Sequence, residues 1–250
     1  MPRYFIELSY KGTAYSGFQV QENAFTVQAE LVRAMGILYR QSFELTGSSR
    51  TDSGVHARQN YFHFDTELVI DPQSVYNLNA ILRPDITIKG IYPVPSEAHC
   101  RFDAVRREYN YYIYRYKNPF LDDRAWLYPY PVDMQKMREA AQILFEYQNF
   151  TSFSKRNTQV KTFNCSITIS EWMQEEELLV YRVSANRFLR GMVRGLVGTM
   201  LKVGRNQLTI NDFRQIIEAK DCSKADFSTP PQGLFLNKVV FKVEMGEYLR

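Results

Sequence analysis

The chain has 250 residues, 45% hydrophobic and 14% aromatic, and a formal net charge of +4. That length supports one large domain or two small ones with proper cores, and no apolar run reaches membrane-spanning length. Cys100, Cys165 and Cys222 are odd in number and widely spaced, offering neither a disulfide framework nor a CxxC site, and His56, His63 and His99 lack zinc-site spacing, so metal catalysis is not expected.

In chain order, Arg3 to Tyr10 alternates apolar and polar residues as a strand does, and Lys11-Gly12-Thr13 ends it. Thr26 caps a predicted helix from Val27 to about Tyr39, with Val27, Leu31, Ala34, Met35 and Leu38 on its apolar face. Short strands are predicted at Phe43–Thr46 and Asn60–Asp65, flanking a loop from Gly47 to Ala57. Asp71-Pro72 reads as a helix start, with the helix running to about Leu82 before Pro84. Strands follow at Thr87–Val94 and Arg107–Tyr116, then a helix capped by Asp133 and running through Phe145. Arg156 to Lys161 is polar and unpatterned, a surface loop. Cys165–Trp172 and Leu178–Ala185 form a predicted hairpin across Gln174–Glu177. Helices are expected at Arg187–Val203 and Ile210–Glu218, and a last strand at Lys238–Glu244.

This order, β-α-β-β-α-β and then β-α-β-β-α-α-β, predicts an α+β protein with a mixed, mainly antiparallel sheet and flanking helices. It reads as two related halves, 1–105 and 106–250, joined near residues 100–106, although no clear internal sequence repeat accompanies them. The N-terminal residues Met1 to Leu8 lack the apolar stretch of a secretory signal, so a cytoplasmic location is expected.

Three stretches carry candidate chemistry. Gly47 to Ala57 reads G-S-S-R-T-D-S-G-V-H-A and presents Asp52 among small residues, two positions after Arg50. Small neighbours let a large substrate reach the carboxylate, and the cation can keep it ionised or bind a phosphate. An Asp before Ser-Gly also serves as an ordinary turn or capping residue. In the predicted helix from Arg187, the residues Arg187, Arg190 and Arg194 fall on one flank beside Gly191, Gly195 and Gly198. Each interior helix glycine costs about 1 kcal/mol relative to Ala, which close approach of a backbone or a ligand would offset. On the predicted strand from Arg107, Tyr109 and Tyr111 share one face while Tyr112 and Tyr114 share the other. One face can bury and the other offer rings to a base, although tyrosine-rich strands are common in plain cores. The 31 basic residues comprise 20 Arg and 11 Lys, and this excess of forked, stacking cations fits nucleic acid better than a membrane.

Taken together these stretches resemble the tRNA pseudouridine synthase A family along nearly the whole chain. The family pattern G-x-G-R-T-D-A-G-V-H-A matches Gly47 to Ala57, with Ser49 and Ser53 as departures. Y-D-G-x-x-Y-x-G-W-Q-x-Q appears as Tyr10 to Gln21, with Lys11 for Asp and Phe18 for Trp. A-R-F-x-A-x-x-R-x-Y-x-Y matches Cys100 to Tyr111, with Cys100 for Ala. Phe150 to Phe153 gives F-T-S-F, Asn186 to Gly198 gives N-x-F-x-x-x-M-V-R-x-x-V-G, and Pro231 to Leu236 fits the late G-L-x-L segment. A family arginine following K-T is Cys165 here, which puts one RNA contact in doubt.

The resemblance implies the pseudouridine synthase fold and isomerisation of uridine to pseudouridine at positions 38, 39 and 40 of the tRNA anticodon arm. It implies no cofactor, no metal and no energy source. Asp52 would be the nucleophile, attacking C1′ of the ribose or C6 of the uracil. Arg194 would pair with Asp52, Tyr109 would lie against the uracil and assist proton removal at C5, and Arg50 would help displace the base from its stem. Arg187, Arg190, Arg101 and Arg106 are further candidates for the tRNA-binding surface, and the family precedent is a homodimer with both subunits on the RNA. Two rival readings are an RNA-binding module without catalysis and an aspartic protease, prompted by Asp52-Ser53-Gly54. The second lacks both apolar residues before the Asp and a second D-[ST]-G.

Overall fold

The computed structural model describes residues 1–156, 160–242 and 247–249. The chain divides into two compact units, Met1–Val105 with Phe235–Arg250, and Arg106–Leu234. The C-terminal strand therefore belongs with the first unit.

In the first unit, β1 (Arg3–Tyr10) lies between β4 (Ile86–Val94) and β3 (His56–Asp65), antiparallel to both. A two-residue β2 (Thr46–Gly47) pairs antiparallel with β3, and β9 (Leu234–Phe241) joins β3 in parallel through His56↔Phe235 and Ala57↔Leu236. Helix α1 (Val27–Tyr39) packs on α2 (Ser74–Ile81), which lies along β4. Thr26 caps α1 as its sequence predicts, its side chain accepting from the Ala29 amide at 3.2 Å. Leu38 is only half-buried, whereas Glu30 is buried on that helix and pairs with Arg33 at 2.7 Å. Helix α2 begins at Ser74 rather than at Pro72, because Asp71 and Pro72 form a preceding turn in which Asp71 accepts from the Gln73 amide.

In the second unit, β8 (Leu178–Ala185) lies between β5 (Ala104–Tyr114) and β7 (Ile167–Glu175), antiparallel to both. A two-residue β6 (Trp126–Leu127), absent from the sequence reading, pairs in parallel with β5. Helices α3 (Met134–Ile143), α4 (Met192–Gly204) and α5 (Ile210–Glu218) pack on one another, and α3 also covers β7. Asp133 caps α3 as expected, accepting from the Gln135 and Lys136 amides, and Thr209 and Asp212 close a reciprocal capping box on α5. Both units are thus α+β, with mixed, mainly antiparallel pairing and helices.

Other expected bounds differ too: β3 begins at His56, inside the expected loop, rather than at Asn60, β5 spans Ala104–Tyr114 rather than Arg107–Tyr116, and β7 spans Ile167–Glu175 rather than Cys165–Trp172. Helix α4 starts at Met192, not Arg187, because the residue before it, Gly191, adopts φ 76° and interrupts a continuous helix. Arg187 and Arg190 therefore precede the helix instead of sharing a flank of it with Arg194. The last strand begins at Leu234 rather than Lys238, since its pairing with β3 starts at Phe235. Val243 and Glu244 of the expected strand, and Asn157–Gln159 of the expected surface loop, lie outside the described residues.

Candidate active site

The Asp52 loop is held by hydrogen bonds from the segment that follows β1. The Phe18 amide donates to the Thr51 carbonyl at 3.2 Å, the Gly54 amide to the Tyr15 carbonyl at 3.4 Å, and the Gly12 amide to Nδ1 of His56 at 3.0 Å. Beneath the loop is a buried polar group. Tyr10 Oη and Thr51 Oγ1 are hydrogen-bonded at 2.8 Å, while the Asn60 amide donates to Tyr10 Oη and to the Ser49 carbonyl at 3.2 and 2.9 Å. Asn60 is fully buried, so each of these bonds forms away from competing water. Gly17 sits at φ 107°, and a side chain there would meet the Thr51 carbonyl at 3.2 Å, so the two segments can pack this closely only through glycine.

Within this frame Asp52 is half-buried and Arg50 exposed. Among the described residues, the Asp52 carboxylate accepts no hydrogen bond and joins no ion pair; only its main-chain carbonyl is engaged, by the Val55 amide at 3.2 Å. A carboxylate positioned by its backbone while its own oxygens stay uncommitted can serve as a nucleophile or base. The departures from the family pattern fit the same frame. Ser53 donates to the Tyr15 carbonyl at 3.1 Å, adding a tie to the loop, and Ser49 lies 3.4 Å from the Ser48 hydroxyl. Phe18 stacks on Phe62 with centroids 4.3 Å apart, and packs so tightly on Gly47 that an added Cβ would lie 2.4 Å from its ring.

Tyr109 and Arg194 belong to the second unit. Tyr109 is 9% exposed and meets Phe188 edge-on, with centroids 5.0 Å apart. All four strand tyrosines are buried, so neither face of β5 presents an open row of rings. Tyr111 is fully buried and donates to the Pro230 carbonyl at 2.7 Å; burial raises its phenol far above the ordinary value, with the nearby Arg194 opposing. Arg194 is half-buried and donates through Nε to the adjacent Thr229 carbonyl at 2.6 Å, while Thr229 Oγ1 donates back to the Arg194 carbonyl at 2.9 Å. The helix glycines are accounted for by this packing. A Cβ on Gly198 would lie 2.5 Å from the Asp226 carbonyl, and one on Gly195 would lie 2.8 Å from the Phe227 ring. Close approach of a backbone, one of the two explanations open from sequence, is therefore present at Gly198.

Cys165, the expected departure from the family arginine, is buried, and burial pushes its thiol up to about 11. Among the described residues no three of His, Cys, Asp and Glu gather as metal ligands, and no helix is long and apolar enough to cross a membrane. Sequence reasoning missed Tyr10, Thr51, His56 and Asn60 as the residues that fix the loop. Their only signal was position within, or just after, the two N-terminal motifs.

Comparison with known proteins decides what this arrangement belongs to. A family model described as tRNA pseudouridine synthase matches residues 140–242. A tRNA pseudouridine synthase A of Parabacteroides distasonis is 46% identical over 247 residues, covering 98% of each chain. The chain belongs to the tRNA pseudouridine synthase A family. Other similar members are those of Bacteroides fragilis, 45% identical over 98% of each chain, and of a Staphylococcus aureus strain, 35% identical over 95% of this chain and 90% of that one. Membership in the pseudouridine synthase A family makes the protein an isomerase acting on uridines of tRNA, with the pseudouridine synthase fold. It sets aside both the aspartic-protease reading and the non-catalytic RNA-binding reading.

Proposed function

We propose that the protein converts uridine to pseudouridine at positions 38, 39 and 40 of the tRNA anticodon arm, with Asp52 as nucleophile and without a cofactor. The observation that carries this reading is the half-buried, uncommitted Asp52 carboxylate on a loop whose backbone is tied on both sides. The bond from ribose C1′ to uracil N1 breaks and one from C1′ to C5 forms. The C5 proton leaves, and N1 ends protonated, so the reaction needs no oxidant or reductant. Asp52 adds to C1′ or to C6, and either route requires the ionised form.

The remaining roles come from the family correspondence. Tyr109 lies against the uracil and assists loss of the C5 proton, Arg194 is the cation that keeps Asp52 anionic, and Arg50 helps displace the target base from its stem. Extrusion costs a few kcal/mol, offset by cationic contacts to the RNA backbone. The protein acts in the cytoplasm as a homodimer that touches the RNA with both subunits.

The test is conversion of uridine-labelled tRNA by purified protein. Asp52→Asn abolishes turnover while tRNA affinity stays within about tenfold, because phosphate contacts survive. Substantial product from that variant would remove Asp52 from its role. Arg194→Ala lowers the rate, and an unchanged rate would remove Arg194. Mapping modified positions in tRNA from cells lacking the protein checks positions 38, 39 and 40, and sedimentation checks the dimer.

A further inference from the structure

The first unit holds a cleft from which the roles above draw only on Arg50. This cleft of about 200 Å³ has Gln19, Gly47, Arg50, His99, Arg101 and Phe102 in its wall, all within that unit. Phe102 is 73% exposed. Its outer face is open while its inner side continues a short aromatic column: its centroid lies 4.1 Å from that of His99, which meets His63 edge-on at 4.5 Å. Burial is the main reason that His99 stays below its ordinary value, with Arg3 adding to it, so the ring behind Phe102 is neutral at neutral pH.

The polar part of the wall is cationic. Arg50 and Arg101 are both exposed, the Arg101 guanidinium lies 5.9 Å from the Phe102 centroid, and among the described residues no carboxylate lines the cleft. An open aromatic ring beside the Arg101 guanidinium, with Arg50 in the same cleft wall, matches a ligand that is planar and apolar at one end and anionic at the other. Gln19, exposed at the rim, adds an amide able to donate and accept at a base edge. A nucleotide has this shape and charge, and single-stranded RNA is held in this way, by stacking plus backbone cations. Arg50 belongs to the loop that carries Asp52, so a nucleotide seated here is a near neighbour of the target along the strand.

We propose that this cleft seats an unpaired RNA nucleotide flanking the target uridine, its base stacked on Phe102 and its phosphate held by Arg50 and Arg101. The proposal rests on the tRNA reading above and assigns Phe102 a positioning role rather than a chemical one. Stacking an additional base at the cleft would help hold the strand open while the target is extruded.

The experiment measures binding and turnover separately, using anticodon-arm RNA with the full chain. Phe102→Ala should weaken binding and raise KM roughly 5- to 100-fold with a much smaller change in kcat, and Phe102→Trp should restore most of the loss. A series of arms carrying an abasic nucleotide at each position beside the target should show one position whose removal weakens binding to the wild type but not to Phe102→Ala. Unchanged KM and binding in Phe102→Ala, with normal turnover, would overturn the cleft and leave the enzyme reading intact. Wild-type protein that makes no pseudouridine yet shows Phe102-dependent RNA binding would overturn the enzyme reading and leave the cleft. A Phe102→Ala variant that changes only the oligomeric state would identify a protein contact and also overturn the proposal.

Discussion

The Asp52 loop in the first unit and the Arg194 helix in the second hold their candidate residues by opposite means. The loop has no repeating hydrogen-bond pattern of its own, so it depends on particular polar side chains: Asn60 donates to the Ser49 carbonyl, Tyr10 joins Thr51 to Asn60, and His56 accepts from the Gly12 amide. Helix α4 already satisfies its interior backbone groups, and it positions Arg194 by removing side chains at Gly195 and Gly198 so that the Asp226–Thr229 segment can close on it. A site residue on irregular chain needs named partners, whereas one on a helix needs clearance. The first arrangement is sensitive to lost hydrogen bonds and the second to added atoms.

That contrast can be broken at either end. The largest effect is expected from Gly198→Ala, which places a methyl carbon against the Asp226 carbonyl and should destabilise the second unit by about 3 kcal/mol in denaturant unfolding. Tolerance of that change would show that the Asp226–Thr229 segment yields easily. Asn60→Ala should cost about 2 kcal/mol, because the Ser49 carbonyl and Tyr10 hydroxyl lose a buried donor. It should also lower turnover more than a change of equal stability on α5, since it loosens the loop that carries Asp52. Equal losses of turnover in the two variants would argue against loop rigidity as the reason for the network.

Acid should sharpen the comparison, because all three histidines lie in the first unit. Burial, reinforced by His99 and Arg3, lowers the His63 imidazole from its ordinary 6.5 to about 4. Between those values the unfolded chain takes up a proton that the folded chain refuses, so stability is full above pH 6.5 and declines as pH falls toward 4. The loss at pH 5 should be about 1–2 kcal/mol and should fall on first-unit amides in hydrogen exchange, with the second unit unaffected. His63→Gln should flatten the profile; an unaltered profile would assign the acid response to other groups. The smallest effect is expected from Ser53→Ala, within about 0.5 kcal/mol and with turnover near that of the parent, because its single bond to the Tyr15 carbonyl is one tie among several. A large loss there would mean that Ser53 is a main support of the loop.

How far each element could be read depended on where its causes lie along the chain. The ranges of β1, α1, β8 and α5 agree with the sequence reading, since alternation, helical periodicity and the cap at Thr26 act within a few residues. The start of α4 was misplaced because Arg187 to Arg190 are acceptable helix residues, and nothing local announces that Gly191 turns to positive φ. The two-residue β6 has too little sequence of its own to show a period, and exists through its pairing with β5.

For the candidate site, residue identity and order along the chain point to the family, which the comparisons show, and offer Asp52, Arg50, Tyr109 and Arg194 as candidates. They could not show that Asn60 and Tyr10 carry the loop, that all four tyrosines of β5 are buried, or that Gly198 faces the Asp226 carbonyl. Short-range propensities and motifs act through neighbouring residues and survive in a linear string. Contacts between residues tens of positions apart depend on how strands and helices pack, and so they appear only once the chain has folded.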